Sequence, residues 1–215
     1  MAGRYRLETD WTEIVRVFEL DLVSPLDVAP QLNAAPTMRM PVVLMADARR
    51  TARIMHWGLL SPWSKFREAA RTINARCETV HESRTFAAAF RERRALVPAD
   101  GFYEWRKDGG GKTPVLLRHP GGPLAFAGLW QRWWDPKLLK DVDTFTIVTC
   151  PPNATVSPVH DRMPVILPPD AWAKWLSVDT GPEEARALLV PAAENVLAVE
   201  NVVLDLSRPG RQGTA

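Results

Sequence analysis

Short apolar runs alternate with glycine- and proline-rich breaks between Ala95 and Trp130, and this pattern constrains the fold more than any other. The runs are ALVPADGFYEWR, PVLLR and LAFAGLW, and the breaks between them are KDGGGK and HPGGP. Such runs are typical of β-strands, and such breaks are typical of the turns that join neighbouring antiparallel strands. The sequence therefore predicts a meander of antiparallel strands.

Further strands and short helices surround this meander. Asp10 followed by Glu13 has the pattern of a capping box and predicts a helix that ends at about Leu20. Ser83 or Thr85 could cap a second helix in TFAAAFRERR, and DAWAKWL and PEEARALL predict two more. The remaining predicted strands are PVVLMA, RIMHWGLL, TFTIVTC and ENVLAVENVV. PPNATVSPVH contains too much proline for regular structure, so we expect a long loop there.

These elements predict an α+β fold without internal repeats. The 215 residues are enough for one domain with a substantial core, and no linker rich in glycine, serine or charge divides them. We expect one compact domain over residues 1–207, followed by a flexible tail at residues 208–215.

Composition narrows the class of protein. No apolar run approaches 18 residues, and no basic-then-apolar signal peptide is visible at the start. The two cysteines provide no disulfide framework, and the four histidines are scattered without metal-ligand spacing. We expect a monomeric cytoplasmic protein of the bacterial cytosol or nucleoid, with no metal and no cofactor.

The charge is unevenly distributed along the chain. Residues 39–118 contain 16 Lys and Arg against 8 Asp and Glu, although the whole chain carries a net charge of only +2. A basic middle segment is expected of a face that binds a polyanion such as nucleic acid. An arginine-rich composition on ordinary solvated surfaces explains the same counts, and both interpretations stay open. Nine of the 18 aromatic residues are Trp, which either stack on bases or fill the core.

Glu104 stands between Tyr103 and Trp105 in one of the predicted strands. Successive side chains of a strand point to opposite faces, so Phe102, Glu104 and Arg106 share one face. Glu104 then either lies on a solvated face or lines a site that requires a carboxylate.

Two other polar segments could join Glu104 in a site. Taken singly, each has a simpler explanation as a turn former, a surface ion pair or a structural histidine. Together they would supply an imidazole, an amide and two guanidinium groups, in a chain that lacks a P-loop, a G-x-S-x-G and a dinucleotide fingerprint. The first segment contains Asn74, Arg76 and Glu78, which alternate along a possible strand, and the second contains His160, Asp161 and Arg162.

Several of these segments, taken in order, resemble the SRAP (SOS response-associated peptidase) family, which includes the HMCES- and YedK-like proteins. The matching segments are MAGRY, NAAPT, HWGLLSPW, NARCET, RRALVPADGFYEW, FAGLW and HDRMPVIL, between residue 1 and about residue 170. The resemblance implies a compact α+β domain of twisted, barrel-like antiparallel sheets flanked by short helices.

The resemblance also implies an activity. Family members sense and shield abasic sites in single-stranded DNA, including junctions with duplex. Their N-terminal cysteine, exposed by removal of the initiator Met, attacks the C1′ aldehyde of the opened sugar through its α-amine. Its thiol then closes a thiazolidine ring, which forms a stable DNA–protein crosslink.

Site residues follow from the matching motifs. The resemblance implies that Glu104 and His160 transfer protons and that Asn74 holds the sugar or the N-terminus. Trp57 would be the aromatic residue that stacks at the edge of the strand. Residues implied in phosphate or backbone contact are Arg4, Asn33, Arg76 and Arg162.

Position 2 departs from the family pattern, because Ala2 stands where the family carries its nucleophilic cysteine. Without a thiol no thiazolidine can form, so we expect at most an imine. An engineered replacement and a natural loss both remain open.

Two other functions stay open at this point. A non-catalytic single-stranded DNA-binding module is favoured if Ala2 is native. A cysteine peptidase that removes its own propeptide is the other, and we expect it less because the sequence starts directly at MAGR.

Overall fold

The computed structural model describes residues 3–21 and 28–202. Its helices are α1 (Trp11–Val17), α2 (Ala87–Glu92), α3 (Pro169–Leu176) and α4 (Pro182–Ala187), with a 3₁₀ helix at Phe66–Arg71. Its strands are β1 (Tyr5–Leu7), β2 (Gln31–Ala34), β3 (Arg39–Ala46), β4 (Arg49–Trp57), β5 (Asn74–Arg76), β6 (Arg94–Ala99), β7 (Gly101–Asp108), β8 (Gly111–Arg118), β9 (Leu124–Asp135), β10 (Lys140–Cys150), β11 (Met163–Pro164), β12 (Ile166–Leu167) and β13 (Ala198–Asn201). The predicted α+β class is confirmed.

Five strands close into a barrel. The pairing runs from β10 to β4, β3, β6 and β9, and β9 pairs again with β10 along eight residue pairs. Closure leaves none of these five strands with a free edge. The barrel is mixed rather than purely antiparallel, because β10 runs parallel to β4 and also to the short β5.

A second sheet lies beside the barrel, with the order β13-β8-β7-β1-β2. The chain passes from the barrel into this sheet at Asp100, which separates β6 from β7. Buried aromatic rings connect the two sheets: the ring centroids of Tyr5 and Trp57 are 5.1 Å apart, and those of Phe102 and Phe126 are 6.1 Å apart. Edge-to-face packing of this kind stabilises the junction between the sheets.

A buried arginine connects the barrel to the helices. Arg94 is only 4% exposed, and its guanidinium donates to the carbonyl oxygens of Phe90, Trp175 and Thr180, among others. These carbonyls lie at the ends of α2 and α3 or just beyond them, where backbone acceptors lack helical partners and the helix dipole favours a cation. Burial lowers the pKa of Arg94.

Some of the predicted helix starts, strands and loops are confirmed, and others are wrong. Asp10 caps α1 as predicted, since its side chain accepts a hydrogen bond from the Glu13 amide at 3.0 Å. The helix α2 begins at Ala87, later than a cap at Ser83 or Thr85 would give, because residues 83–86 form turns first. The irregular 151–162 loop is confirmed, and β7 and β8 form the first predicted hairpin. The meander is wrong beyond that hairpin, because β8 pairs with β7 and β13, whereas β9 pairs with β6 and β10 in the barrel. The predicted strand ALVPADGFYEWR is divided at Asp100 into β6 and β7, which belong to different sheets. The predicted boundary at residue 207 and the tail at 208–215 lie outside the described residues.

Within the described part of the chain, no helix is long and apolar enough to span a membrane.

Candidate functional site

Glu104 occupies the middle of β7, where it pairs with Val115 of β8. It is only 2% exposed, so the first interpretation, a solvated strand face, is wrong. Burial raises the pKa of the Glu104 carboxyl group, and the nearby imidazole of His160 opposes this shift to a lesser degree. A carboxyl group that retains its proton more readily than usual can act as a general acid.

His160 approaches Glu104 from the 151–162 loop. Its Nε2 lies 3.9 Å from Oε2 of Glu104. The backbone N–H of Arg162 donates to Nδ1 at 3.0 Å, which places the proton of the neutral ring on Nε2, toward Glu104. An Asp161 oxygen also lies 2.9 Å from Nδ1, but that side chain is 89% exposed and free to rotate, so we assign Nδ1 to the backbone amide. A separation of 3.9 Å is longer than a hydrogen bond, so the two groups face one shared space in which each can exchange a proton with a bound substrate.

The loop that carries His160 is held in place, although it has no regular structure. Asn153 is 7% exposed; its Nδ2 donates to the Ala192 carbonyl at 3.0 Å, and its Oδ1 accepts from the Val156 amide at 3.1 Å. Glu194 accepts from the amides of Ala154 and Thr155. The His160 amide in turn donates to the Val156 carbonyl at 3.0 Å. These bonds fix the approach of the imidazole toward β7.

The beginning of the described chain lies next to the same carboxyl group. Tyr5 pairs with Phe102, and the Tyr103 amide donates to the Arg4 carbonyl at 3.0 Å, so β1 runs along β7 just where Glu104 follows. Asp100 anchors the other end of β1 by accepting from the amides of Glu8 and Thr9 at 2.6 and 2.9 Å. Position 2, which carries Ala2, lies outside the described residues.

Glu104 and His160 line one open cavity of about 760 Å³. Trp105, Lys107 and Lys112 from the β7–β8 hairpin and residues 157–161 from the loop form its walls. Such a volume is within the usual range for small-molecule sites. Among the described residues, no group of three His, Cys, Asp or Glu side chains could hold a metal ion.

The strand β5 of the NARCET segment pairs in parallel with the end of β10. Asn74 pairs with Ile147 and Arg76 with Thr149, and Arg76 is exposed. The strand ends at Arg76, so the predicted alternation does not continue to Glu78, which lies in the following turn.

Glu78 instead forms a two-pronged salt bridge with Arg162, with distances of 2.5 and 3.0 Å. A further N–H of Arg162 donates to the Thr149 carbonyl at 2.7 Å. The hydrogen bonds from Arg162 lower the pKa of Glu78 to about 2. The bridge ties the NARCET segment to the residue that follows the His160–Asp161 pair.

Arg4 immediately precedes β1, and Asn33 lies on the neighbouring strand β2. Asn33 is 3% exposed, and Arg4 is partly buried, which lowers the pKa of its guanidinium. Both flank the Tyr5–Ala34 pair near the beginning of the described chain. They therefore belong to the same sheet as Glu104.

Trp57 is not a surface residue, and its predicted role in stacking at the strand edge is wrong. It is fully buried between Tyr5 and Phe145, and its indole N–H donates to the Ile73 carbonyl at 2.9 Å. The pleat of β4 directs it into the core. Alternation along a strand does not reveal which of its two faces is buried.

An exposed tryptophan missed in the sequence lies six residues later. Trp63 is 62% exposed, and the guanidinium of Arg84 lies 5.3 Å from its ring centroid. An indole that is open to solvent beside a cation is a stacking platform for a nucleic acid base. The sequence indicates its exposure in the segment SPWS, where Trp63 follows Pro62 among residues that favour turns.

The two cysteines are poor nucleophiles. Burial raises the pKa of the Cys150 thiol to about 12, and burial together with the neighbouring Glu78 raises that of Cys77. Thiolate chemistry at either position is therefore disfavoured.

Comparison with known proteins agrees with this architecture. The chain is 34% identical over 196 residues to the Bacillus subtilis protein named abasic site processing protein YoqW, covering 89% of this chain and 87% of that protein. It is 32% identical to the Gallus gallus protein named abasic site processing protein HMCES, over 78% of this chain and 60% of that longer protein. A crystal structure from Bacteroides thetaiotaomicron shares the fold, with a TM-score of 0.85 at 22% identity and coverage of 93% and 91% of the two chains.

The family model described as SOS response associated peptidase (SRAP) matches residues 1–209. That match takes in both sheets, the Glu104–His160 pair and the exposed Trp63. The chain belongs to the SRAP family.

Proposed function

We propose that this protein recognises abasic sites in single-stranded DNA and reacts with the opened sugar through its N-terminal amine. The single observation that supports this most is the buried Glu104, whose carboxylate lies 3.9 Å from His160. Glu104 is on β7, and the first described residues run alongside that strand. Membership of the SRAP family and the names of the relatives point to the same substrate.

The amine is a suitable nucleophile for an aldehyde. An α-amine has a pKa of about 7.7–8.0, against about 10.4 for lysine, so a useful fraction is uncharged at neutral pH. It adds to the C1′ aldehyde to give a carbinolamine, which loses water to give an imine. Removal of Met1 would place this amine on Ala2.

Each proton transfer in this sequence has a candidate group. Sugar-ring opening needs a base for the C1′ hydroxyl and an acid for the ring oxygen. Loss of water from the carbinolamine needs an acid for the leaving hydroxyl group. Glu104 would take the proton of the C1′ hydroxyl and, as the group with the raised pKa, would later donate it to the leaving hydroxyl group, while the Nε2–H of His160 would donate to the ring oxygen. Asn74 would hold the sugar or the N-terminus by hydrogen bonding.

Ala2 limits the outcome to the imine. With a cysteine there, the thiol would add to the imine carbon and its proton would pass to nitrogen, giving a thiazolidine. Without the thiol, the imine hydrolyses or loses a C2′ proton, which leads to strand cleavage by β-elimination. A lyase-type product would therefore accumulate slowly.

The DNA strand would run past the reactive sugar across a path of polar and aromatic residues on the protein surface. Arg76 is exposed and suited to a phosphate, and Arg4 and Asn33 would contact the backbone near the sugar. Trp63 with Arg84 would stack a flanking base, in place of the buried Trp57. Arg162 remains a proposed phosphate contact, through N–H groups not engaged by Glu78 and Thr149.

Incubation with intact and abasic oligonucleotides of one sequence tests the proposal. We expect tighter binding to the abasic strand, and a covalent adduct that forms only when borohydride reduces the imine. Equal binding to both strands without an adduct would identify a non-catalytic single-stranded DNA-binding module, which the presence of Ala2 would also permit. Cleavage of a peptide at the N-terminus without DNA reactivity would identify a peptidase.

A further inference from the structure

The end of the β7–β8 hairpin places two positive charges side by side. Lys107 pairs directly with Lys112 in the register of the two strands, and both side chains are exposed. Like charges directly opposite each other on neighbouring strands are destabilising. Neither lysine forms a salt bridge with a residue whose side chain the structure describes. A cross-strand pair of this kind is stabilised when an anion lies between the two ammonium groups.

The lysine pair opens onto the same cavity as the proposed reactive centre. Lys107 and Lys112 line it together with Glu104, His160 and the half-buried Trp105. The cavity is also lined by Asp161, whose carboxylate is 89% exposed. Lys107 is three residues from Glu104 on β7, so the two side chains leave the strand on opposite faces, and the open cavity borders both.

The spacing identifies which anion fits. Glu104 and Lys107 are three residues apart on one strand, which is about 10 Å at ~3.3 Å per residue. Stacked nucleotides advance by about 3.4 Å each, so this distance spans about three nucleotides, or fewer in an extended strand. A DNA phosphate within three nucleotides of a sugar bound at Glu104 would reach the lysine pair.

We propose that Lys107 and Lys112 form a binding site for a backbone phosphate flanking the abasic sugar on one side. This inference rests on the proposed function, because the site is defined relative to a sugar at Glu104. The β7–β8 hairpin would then determine the direction in which the DNA strand leaves the cavity.

A double substitution, Lys107→Gln with Lys112→Gln, removes both charges and retains most of each aliphatic stem. The salt dependence of binding to a single strand should become shallower by ~0.7 in the slope of log K against log salt concentration, as expected for one phosphate. The matched control is Lys137→Gln with Lys140→Gln, which removes two exposed charges from the β9–β10 hairpin. The melting temperature should be unchanged in the control and unchanged or slightly higher in the first variant, because the repulsion between the two lysines is removed. An equal slope change in the two variants, or none in the first, would overturn the site.

Neutral methylphosphonate linkages then locate the contact. Single replacements at the first three phosphates on each side of the abasic nucleotide are compared in the unchanged protein and in the lysine variant. We expect one position, on one side only, whose replacement weakens binding to the unchanged protein at least threefold and has no effect on the variant. Identical profiles for the two proteins would contradict the proposal.

Failure of the proposed function gives a different result. In that case the unchanged protein would not distinguish abasic from intact strands, whatever the lysines do. Preference for the abasic strand together with identical methylphosphonate profiles would refute the lysine site alone.

Discussion

Glu104 is a carboxyl group that the fold removes almost completely from water, within a strand whose neighbours are largely apolar. Burial disfavours the charged form, so the folded-state pKa lies above the unfolded value. The folded state then binds more protons than the unfolded state between these two pKa values. The contribution of Glu104 to stability is therefore present at acidic pH and is lost as the pH rises through the folded-state pKa.

Replacing Glu104 by Gln should separate chemistry from stability. We expect borohydride-trapped adduct to form more slowly by a factor of ~10²–10⁴, because the acid for carbinolamine dehydration is gone. Thermal unfolding at pH 8 should show a variant at least as stable as the unchanged protein, and this advantage should shrink toward pH 5. A variant that unfolds far more easily at pH 8 but reacts normally would make Glu104 a structural residue.

The Glu78–Arg162 bridge should give the opposite pH dependence. The pKa of Glu78 is lowered from 4.5 to about 2, so its stabilisation is complete above pH 4.5 and is lost as the pH falls toward 2. Glu78 is 46% exposed, so solvent screening limits this to about 1 kcal/mol. We expect Glu78→Gln to lower the free energy of unfolding by that amount at pH 6, with the difference vanishing near pH 2 in acid unfolding.

The exposed Glu82 of the same segment provides the control for this experiment. Glu82→Gln should leave the acid unfolding curve unchanged. Equal shifts in both variants would mean that general surface charge, and not the bridge, sets the acid stability.

At the scale of elements, the turn after β4 is the most constrained point described. Gly58 has φ +133°, and a Cβ atom there would lie 2.3 Å from the Ala69 carbonyl oxygen. Gly58→Ala should therefore destabilise the protein by about 3 kcal/mol or more, measured by denaturant unfolding. Gly110→Ala is the matched control, because Gly110 has φ +122° but open space around it, so only the backbone strain of ~1–3 kcal/mol remains. Equal losses would show that contact with Ala69 is unimportant.

The strands could be predicted from the sequence because their signals are local. KDGGGK and HPGGP mark the turns on either side of β8, and Asp10 marks the beginning of α1. The orientation of β10 could not be predicted, because its parallel pairing with β4 depends on closure of the barrel and not on any local pattern. The burial of Trp57 could not be predicted for a related reason: it depends on Tyr5 of the second sheet and Phe145 of β10, which no local pattern brings together.

The site depends on the whole molecule. Glu104 and His160 are 56 residues apart in sequence, and residues Asn153 and Glu194 hold the loop that brings them together. Taken singly, Glu104 and His160 each have a simpler structural explanation, and only the order of the family motifs groups them into one site. The depth of burial of Glu104, which raises its pKa, became visible only once both sheets were assembled.

A DNA track across the surface predicts unequal roles for two exposed tryptophans. Trp63→Ala should weaken binding to a single strand by about 1–3 kcal/mol, the usual contribution of one base stacked on an aromatic ring. Trp134 is similarly exposed, at 54% against 62%, and lines one cavity with Pro62 and Ser64, the sequence neighbours of Trp63, so Trp134→Ala is a near-neighbour control. Fluorescence anisotropy at fixed salt measures both. Similar losses of affinity in the two variants would argue against a defined stacking position at Trp63.

The central claim is that an N-terminal amine at position 2 reacts with the abasic sugar beside Glu104. Ala2→Cys tests it most directly, after mass spectrometry confirms removal of Met1. Ring closure by the new thiol is intramolecular, with effective molarities that can reach ~10⁵ M or more. The account predicts an adduct with abasic single strands that survives denaturing electrophoresis without borohydride, whereas the Ala2 protein should need borohydride. If the Ala2→Cys protein gives no heat-stable adduct, the account is contradicted.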